Sequence, residues 1–378
     1  MTWFQQRWHF QQMLKELNSV KDLEGRAVEA LRGLLSNVDP IHVHAIDREV
    51  SINGKHVDIV ADITAFGRRH RLVCEVKSSG QPRHVRNAVL QLRNYLALGW
   101  SGRDATPVFI TTYLSAEAQA MCREADVGFL DLEGNVRIAF DGIFIERSVS
   151  TKPSVQRRDL KSIFKPKSAQ ILRAMLRDPW REWRVADLAK AANVSLGQVS
   201  NVRTNLLDRE WAELSDGGLY LRAPDRVLDA WRDAYEPPSG EKRLFYTILQ
   251  GKQFDIVAKQ AIHANDHRDA HGARAIFASF SAARWLSPYA RSNMQHFYAN
   301  DAGLGLLKSG LKLTSASKGE NVAITVTYDE GVFLDAIEPV PGVLCTSPIQ
   351  TYLDLATAGE RGFEAAEHLR SEKLTWPR

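Results

Sequence analysis

The sequence predicts three domains in order: an α/β domain on a mixed sheet, a domain of three helices and a β-hairpin, and an α+β domain. Three observations predict it. Residues 25–112 switch between helical and strand-like apolar spacing, residues 168–221 give three helical stretches closed by a Gly-Gly hairpin, and residues 241–378 mix short strands with capped helices. A chain of 378 residues has room for two or three such domains. The composition of Pro237-Pro238-Ser239-Gly240 is that of a linker, and a basic stretch precedes residue 168. The expected limits are therefore 1–147, a basic linker at 148–167, 168–236 and 241–378.

In the first domain, Gly25-Arg26-Ala27-Val28-Glu29-Ala30-Leu31-Arg32-Gly33-Leu34-Leu35 carries apolar residues at helical spacing. Strand-like runs follow at 42–50, 56–66 and 70–77, the first two parted by an Asn53-Gly54 turn. A helix from Arg83 to Leu98 closes at Gly99. Pro107-Val108-Phe109-Ile110-Thr111-Thr112 then has the continuous apolar character of a buried strand. The order helix–strand–strand–strand–helix–strand gives the mixed sheet. The segment Gly128-Phe129-Leu130-Asp131-Leu132-Glu133-Gly134-Asn135 reads as a turn with capping acids that ends this domain.

In the second domain, Ser168 just after Pro166 caps a helix over 168–177. A second helix spans Val185 to Ala192, and Asn193-Val194-Ser195 turns the chain into a third from Leu196 to about Arg209. A hairpin follows from Ala212 to Leu221. Three helices and a hairpin in this order describe a winged helix-turn-helix. In the third domain, helical stretches near 252–264 and 280–287 precede short strands between 295 and 345. Ser347-Pro348 then opens a helix with an N-cap and a proline at N1, and one further helix lies near 363–373.

The hydrophobic fraction of 44% and charged fraction of 25% are those of an ordinary globular protein. Cys74, Cys122 and Cys345 show no CxxC spacing, which argues against a disulfide framework or structural zinc and suits a reducing, cytoplasmic compartment. Met1-Thr2-Trp3-Phe4-Gln5-Gln6-Arg7 lacks the apolar region of a signal peptide, and no apolar run approaches 18 residues, so no membrane span is expected. Gly303-Leu304-Gly305 matches neither GxxxxGK[ST] nor a full GxGxxG. G-x-S-x-G, HExxH and a Gly-Ser followed by Asp-x-Asp are all absent from the sequence. His263, His267 and His271 recur every four residues, but Asn265-Asp266 and Gly272 weaken a helix there, and surface or loop histidines are expected rather than metal ligands.

The most informative pattern is Val57-Asp58-Ile59-Val60 followed by Val73-Cys74-Glu75-Val76-Lys77-Ser78. Residues i and i+2 of a strand share a face, so Glu75 and Lys77 point one way while Cys74 and Val76 point into the opposite layer. Two carboxylates and an ammonium converging at strand ends can hold a hard divalent cation and steady an attacking water. Buried charges are costly unless they are paired or bind metal.

Asp58, Glu75 and Lys77, in this order of elements, resemble the PD-(D/E)xK nuclease superfamily over about residues 25–140. Glu29 lies in the preceding helix, where many members place another acid. Gln91-Leu92-Arg93-Asn94-Tyr95 looks like the Gln-x3-Tyr motif of the RecB-like branch, and the i, i+4 spacing puts Gln91 and Tyr95 on one helix face. The resemblance implies a restriction-endonuclease-like fold in which Asp58 and Glu75 bind Mg²⁺ or Mn²⁺. Lys77 would orient or activate the water, and Gln91 would brace the site. Val57 stands where the superfamily often has proline.

The formal net charge is +4, and it is unevenly placed. Arg147, Lys152, Arg157, Arg158, Lys161, Lys165 and Lys167 face only Asp159 in 147–167, the kind of run that phosphate contact needs. On the third helix, Val199, Val202, Leu206 and Leu207 form the expected buried stripe. Ser195 is the expected N-cap, Gln198, Asn201, Thr204 and Asn205 face out, and Arg203 flanks them. Gln and Asn can pair bidentately with adenine, while Arg203 suits phosphate. The alternative is a winged helix used for protein contacts.

Thr346-Ser347-Pro348-Ile349-Gln350-Thr351-Tyr352-Leu353-Asp354-Leu355 and Arg361-Gly362-Phe363-Glu364-Ala365-Ala366-Glu367 resemble the abortive-infection E antitoxin family of type IV toxin–antitoxin systems. The resemblance covers about residues 165–378, and Asp131-Leu132-Glu133-Gly134-Asn135 is similar to the end of a nuclease-like domain in some members. It implies DNA binding, repression of the protein's own promoter and neutralisation of a nucleotidyltransferase toxin, while the first 150 residues depart from the minimal family. Two readings stand together: a Mg²⁺-dependent DNA nuclease of a mobile-element or defence locus, or an antitoxin and autorepressor with a non-catalytic nuclease-like domain. Winged-helix proteins often form homodimers, which the sequence leaves open.

Overall fold

The computed structural model describes residues 22–52, 54–99, 104–149, 153, 160–263, 272–289, 292–315 and 318–377. The chain divides into two compact units, one of Met1–Arg158 with Leu207–Glu210 and the other of Asp159–Leu206 and Trp211–Arg378. The architecture is mixed α/β, as the alternating periodicities require.

The first unit is built on one seven-stranded sheet whose spatial order follows the chain. Its strands are β1 (Ile41–Ile52), β2 (Lys55–Ala65), β3 (Arg68–Lys77), β4 (Ala105–Thr111), β5 (Gly128–Asp131), β6 (Val136–Phe140) and β7 (Ile143–Arg147). β3–β4 and β4–β5 are parallel and the other pairs antiparallel. Parallel pairing needs crossovers, which α2 (Pro82–Gly99) and α3 (Ala116–Glu124) supply. α1 (22–36) lays Leu23, Ala27, Leu31 and Leu35 on one face of the sheet, against Ile59, Leu72, Cys74 and Val76. On the other face α2 packs Val85, Ala88, Leu92 and Tyr95 against Val57, Val60, Val73 and Phe109.

Residues 128–135 are only partly a turn. Gly128–Asp131 is a fully buried strand, and the turn is confined to residues 132–135. There Asp131 Oδ1 accepts from the amides of Glu133, Gly134 and Asn135, while Oδ2 accepts from Leu114 N and Asn135 Nδ2. Its acid is a structural staple inside the sheet.

The second unit begins with helices Pro166–Arg177, Val185–Ala191 and Leu196–Asp208 and the hairpin β8 (Ala212–Leu214) and β9 (Leu219–Leu221). Trp183 bridges Leu219, adding one residue beside the hairpin. The first helix starts two residues before the expected cap. Lys165 is its N-cap residue, Pro166 follows at the first turn, and Ser168 lies inside it. Helix Pro224–Asp233 leads into a second seven-stranded sheet of order β13-β10-β14-β12-β11-β16-β15.

That sheet comprises β10 (Gly240–Tyr246), β11 (Ala275–Phe277), β12 (Gln295–Ala299), β13 (Thr314–Ser315), β14 (Val322–Thr327), β15 (Ile337–Val340) and β16 (Val343–Cys345). Gly240 already belongs to β10, so the Pro-Pro-Ser stretch is a short connection inside one compact unit. Gly303-Leu304-Gly305 falls in helix Asp301–Gly310, capped by Asn300, an element that the sequence pattern did not suggest. Gly303 is required there because a Cβ would meet the Arg274 carbonyl oxygen at 1.8 Å. Ser347 caps helix Pro348–Ala356 through Gln350 N, with Pro348 in its first turn. The last helix is Glu360–Lys373.

Candidate functional site

Asp58, Glu75 and Lys77 meet where two strands part. The β2–β3 ladder runs from Ala65↔Arg68 to Ile59↔Cys74 and stops. Beyond it, the Val76 amide donates to Asp58 Oδ2 at 2.7 Å, so a side chain takes the place of the missing backbone acceptor. Alternation along β3 sends Cys74 and Val76 to the α1 face and Val73 to the α2 face. Glu75 and Lys77 therefore stand on the α2 side, as the i, i+2 spacing predicts.

Glu75 is 1% exposed. One carboxylate oxygen receives the Lys77 ammonium. The other, Oε2, is buried and makes no hydrogen bond of good geometry, with the Tyr95 hydroxyl close by but donating to the His56 carbonyl. A buried acceptor left unmade costs roughly 1–3 kcal/mol, more when charged, so this oxygen is poised for a ligand. Burial raises the Glu75 carboxyl above the usual range and the neighbouring Asp58 charge adds to it, while Lys77 and, after it, the Tyr95 hydroxyl oppose both. Burial likewise raises Asp58; the Val76 amide and Lys77 pull it down and Glu49 pushes it up. Two carboxylates that resist ionisation side by side are a natural cation seat.

Among the described residues no group of three or more His, Cys, Asp or Glu gathers into a metal cage. Mg²⁺ does not need one, because it keeps several waters and is commonly held by one or two carboxylates. The free oxygen of Glu75 beside Asp58 fits such an ion. A divalent cation would supply polarisation of a phosphodiester oxygen and a water of lowered pKa.

Tyr95 reaches this region. Its ring packs in the α2-side core and its hydroxyl donates to the His56 carbonyl at 2.9 Å, tying α2 to the β1–β2 hairpin. Burial, with the Glu75 and Asp58 charges behind it, raises the phenol well above its ordinary value and keeps it a neutral donor. Gln91, one turn earlier, is half-buried and makes no hydrogen bond to Asp58, Glu75 or Lys77. Glu29 is not brought to the cluster. It is exposed, α1 covers the other face of the sheet, and Glu29 lines an open pocket with Asp22, Arg26 and Leu132. The helical phase explains this: Glu29 is two residues, or about 200°, from both Ala27 and Leu31, which face the sheet.

The third helix of the second unit buries Val199, Val202 and Leu206 and leaves Leu207 half-buried. Ser195 Oγ accepts from Gln198 N at 3.2 Å and is thereby engaged as the cap. Gln198 does not face out: its Nε2 donates to Ser168 Oγ at 2.7 Å, linking the third helix to the first. Asn205 Nδ2 donates to Asn201 O of its own helix. The exposed face is Leu196, Gly197, Ser200, Asn201 and Thr204, with Arg203 half-buried at its flank. Lys161, Lys165 and Lys167 are exposed, and Lys161 pairs with Glu236 at 2.5 Å. Lys152, Arg157 and Arg158 lie outside the described residues, as do His267 and His271, whereas His263 is exposed at the end of helix Gly251–His263.

A buried polar network is present that sequence reasoning missed. Asp354 Oδ1 accepts from the hydroxyls of Tyr235 and Tyr298 and from Gln350 Nε2 at 2.8 Å. Gln350 Oε1 in turn accepts from Arg173 on helix Pro166–Arg177. Gln170 of that helix fits best with its amide donating to Ala192 O and accepting from Gly331 N. The first helix is thus held by the C-terminal sheet region on one side and by the turn before the third helix on the other. The signal was present in Gln350, Tyr352 and Asp354, polar residues inside an otherwise apolar helix.

Residues 220–375, less than half of the chain, match the family described as "Transcriptional regulator, AbiEi antitoxin, Type IV TA system". A solved structure, the crystal structure of a repair endonuclease from Pyrococcus abyssi, overlaps 28% of this chain and 46% of its own at 14% identity and a TM-score of 0.21. An overlap of that size defines neither fold nor function. No curated protein matches the chain. Among the described residues, no helix is long and apolar enough to cross a membrane.

Proposed function

We propose that the protein binds DNA through the helices and hairpin of its second unit, read as a winged helix, and cleaves phosphodiester bonds in a Mg²⁺- or Mn²⁺-dependent reaction at Asp58, Glu75 and Lys77. The observation that carries this reading is Glu75 Oε2, a buried carboxylate oxygen without a hydrogen bond of good geometry, set beside Asp58 and Lys77. Asp58 and Glu75 would hold the cation. Lys77 would stabilise charge developing on the phosphate. Tyr95 would fix the hairpin that carries Asp58. Asn201 and Thr204 would face base edges, and Lys165 and Lys167 phosphates.

A second reading, a type IV antitoxin and autorepressor acting against a nucleotidyltransferase toxin, is favoured by the family match over residues 220–375. In it the first unit is a non-catalytic module. The two are separated by incubating wild type, Asp58→Ala and Lys77→Ala with plasmid and branched DNA in Mg²⁺, Mn²⁺ or EDTA. Cutting by wild type alone, and only with metal, is expected. Absence of cutting under every metal, with DNA still shifted and the promoter still repressed by Asp58→Ala, overturns the nuclease and leaves the regulator.

A further inference from the structure

Glu49 interrupts β1. Its φ is 50°, and among the described residues it is the one non-glycine inside a strand with a positive φ. The pairs Arg48↔Ile59 and Val50↔Val57 on either side set it opposite Asp58. Both strands turn over at this pair. Ile46 and Ile59 pack on the α1 face, whereas Val50 and Val57 pack on the α2 face. Regular alternation would keep Ile46 with Val50 and Ile59 with Val57, so the left-handed residue is what turns the hairpin tip toward α2. Glycine would serve that turn without strain, yet the position holds an exposed carboxylate. Its charge is felt at Asp58, whose carboxyl it helps to raise. Independently, Glu75 Oε2 is buried in the same cluster without a hydrogen bond of good geometry.

We propose that Glu49 is a positioning residue of the Asp58–Glu75 centre, its carboxylate accepting hydrogen bonds from the waters of a divalent cation that the other two hold. The inference rests on the cation site proposed above. Glu49 adds no third direct ligand, consistent with the lack of a three-residue cage among the described residues. Mg²⁺ and Mn²⁺ retain waters in sites with few protein ligands, and outer carboxylates that orient such waters typically change affinity roughly 10- to 100-fold when removed.

The test is isothermal titration of Mn²⁺ into the full chain, with a melting temperature for each variant: wild type, Asp58→Ala, Glu49→Gln, Glu49→Gly and Glu49→Asp. Glu49→Gln and Glu49→Gly should weaken Mn²⁺ binding by roughly 10-fold or more, and Glu49→Asp should retain most of it. Glu49→Gly should melt at or above wild type, since glycine relaxes the backbone. If Asp58→Ala loses Mn²⁺ but both Glu49→Gln and Glu49→Gly bind as wild type, Glu49 serves the hairpin alone and the inference is overturned with the cation site intact. If wild type binds no Mn²⁺, the site and the inference fall together.

Discussion

Replacing Asp354 by asparagine should remove a pH dependence of stability that this one carboxyl builds into the second unit. Asp354 is enclosed, and burial pushes it up to about 6 despite hydrogen bonds from Tyr235, Tyr298 and Gln350 that favour its charged form. A rise from 3.8 to about 6 corresponds to about 3 kcal/mol at about 1.4 kcal/mol per unit. The sign comes from proton uptake: a raised acid holds its proton more tightly in the folded chain than in the unfolded one. Its favourable contribution is complete below about pH 4 and is lost as pH rises through about 6. Urea unfolding of wild type and Asp354→Asn between pH 4 and 8 isolates the effect, because other groups cancel in the difference. Relative to the variant, wild type should lose about 3 kcal/mol across that range. A constant difference, or one in which wild type gains with pH, would refute the account of Asp354 as a buried carboxyl that ionises unwillingly.

Contacts elsewhere in the chain carry their own expectations. Asp131→Ala strands the amides of Leu114, Glu133 and Asn135 and should cost about 3 kcal/mol or more, read as a fall in melting temperature. Gln198→Ala breaks the bond to Ser168 and should cost about 1 kcal/mol in stability while weakening all DNA sequences alike. Asn201→Ala and Thr204→Ala should instead leave stability unchanged and alter the ranking of a duplex panel in fluorescence anisotropy. Lys165→Ala combined with Lys167→Ala should lower the slope of log affinity against log salt by about 2; an unchanged slope would remove these lysines from the phosphate contacts.

Features set by local rules were legible in the sequence. Alternation placed Glu75 and Lys77 on one face of β3 because that strand keeps its period of two. The cap at Ser347, the buried stripe Val199, Val202 and Leu206, and the α2 helix likewise come from spacing and end chemistry within a few residues. Glu29 shows that more could have been read: its offset from Ala27 and Leu31 already turned it away from the sheet.

Residue order alone was enough for the mixed α/β character of the chain and for the face of β3 that Glu75 and Lys77 share. Where the polar side chains spend their hydrogen bonds was settled by tertiary contacts. Gln198 turned inward because Ser168 of another helix offered it an acceptor, and Asp58 caps Val76 because β2 and β3 part there. Gln350 and Asp354 became a buried network only once Arg173, Tyr235 and Tyr298 arrived from distant parts of the chain. Periodicity fixes which way a side chain points, but its partner is supplied by segments far away in sequence, and no local pattern records that distance.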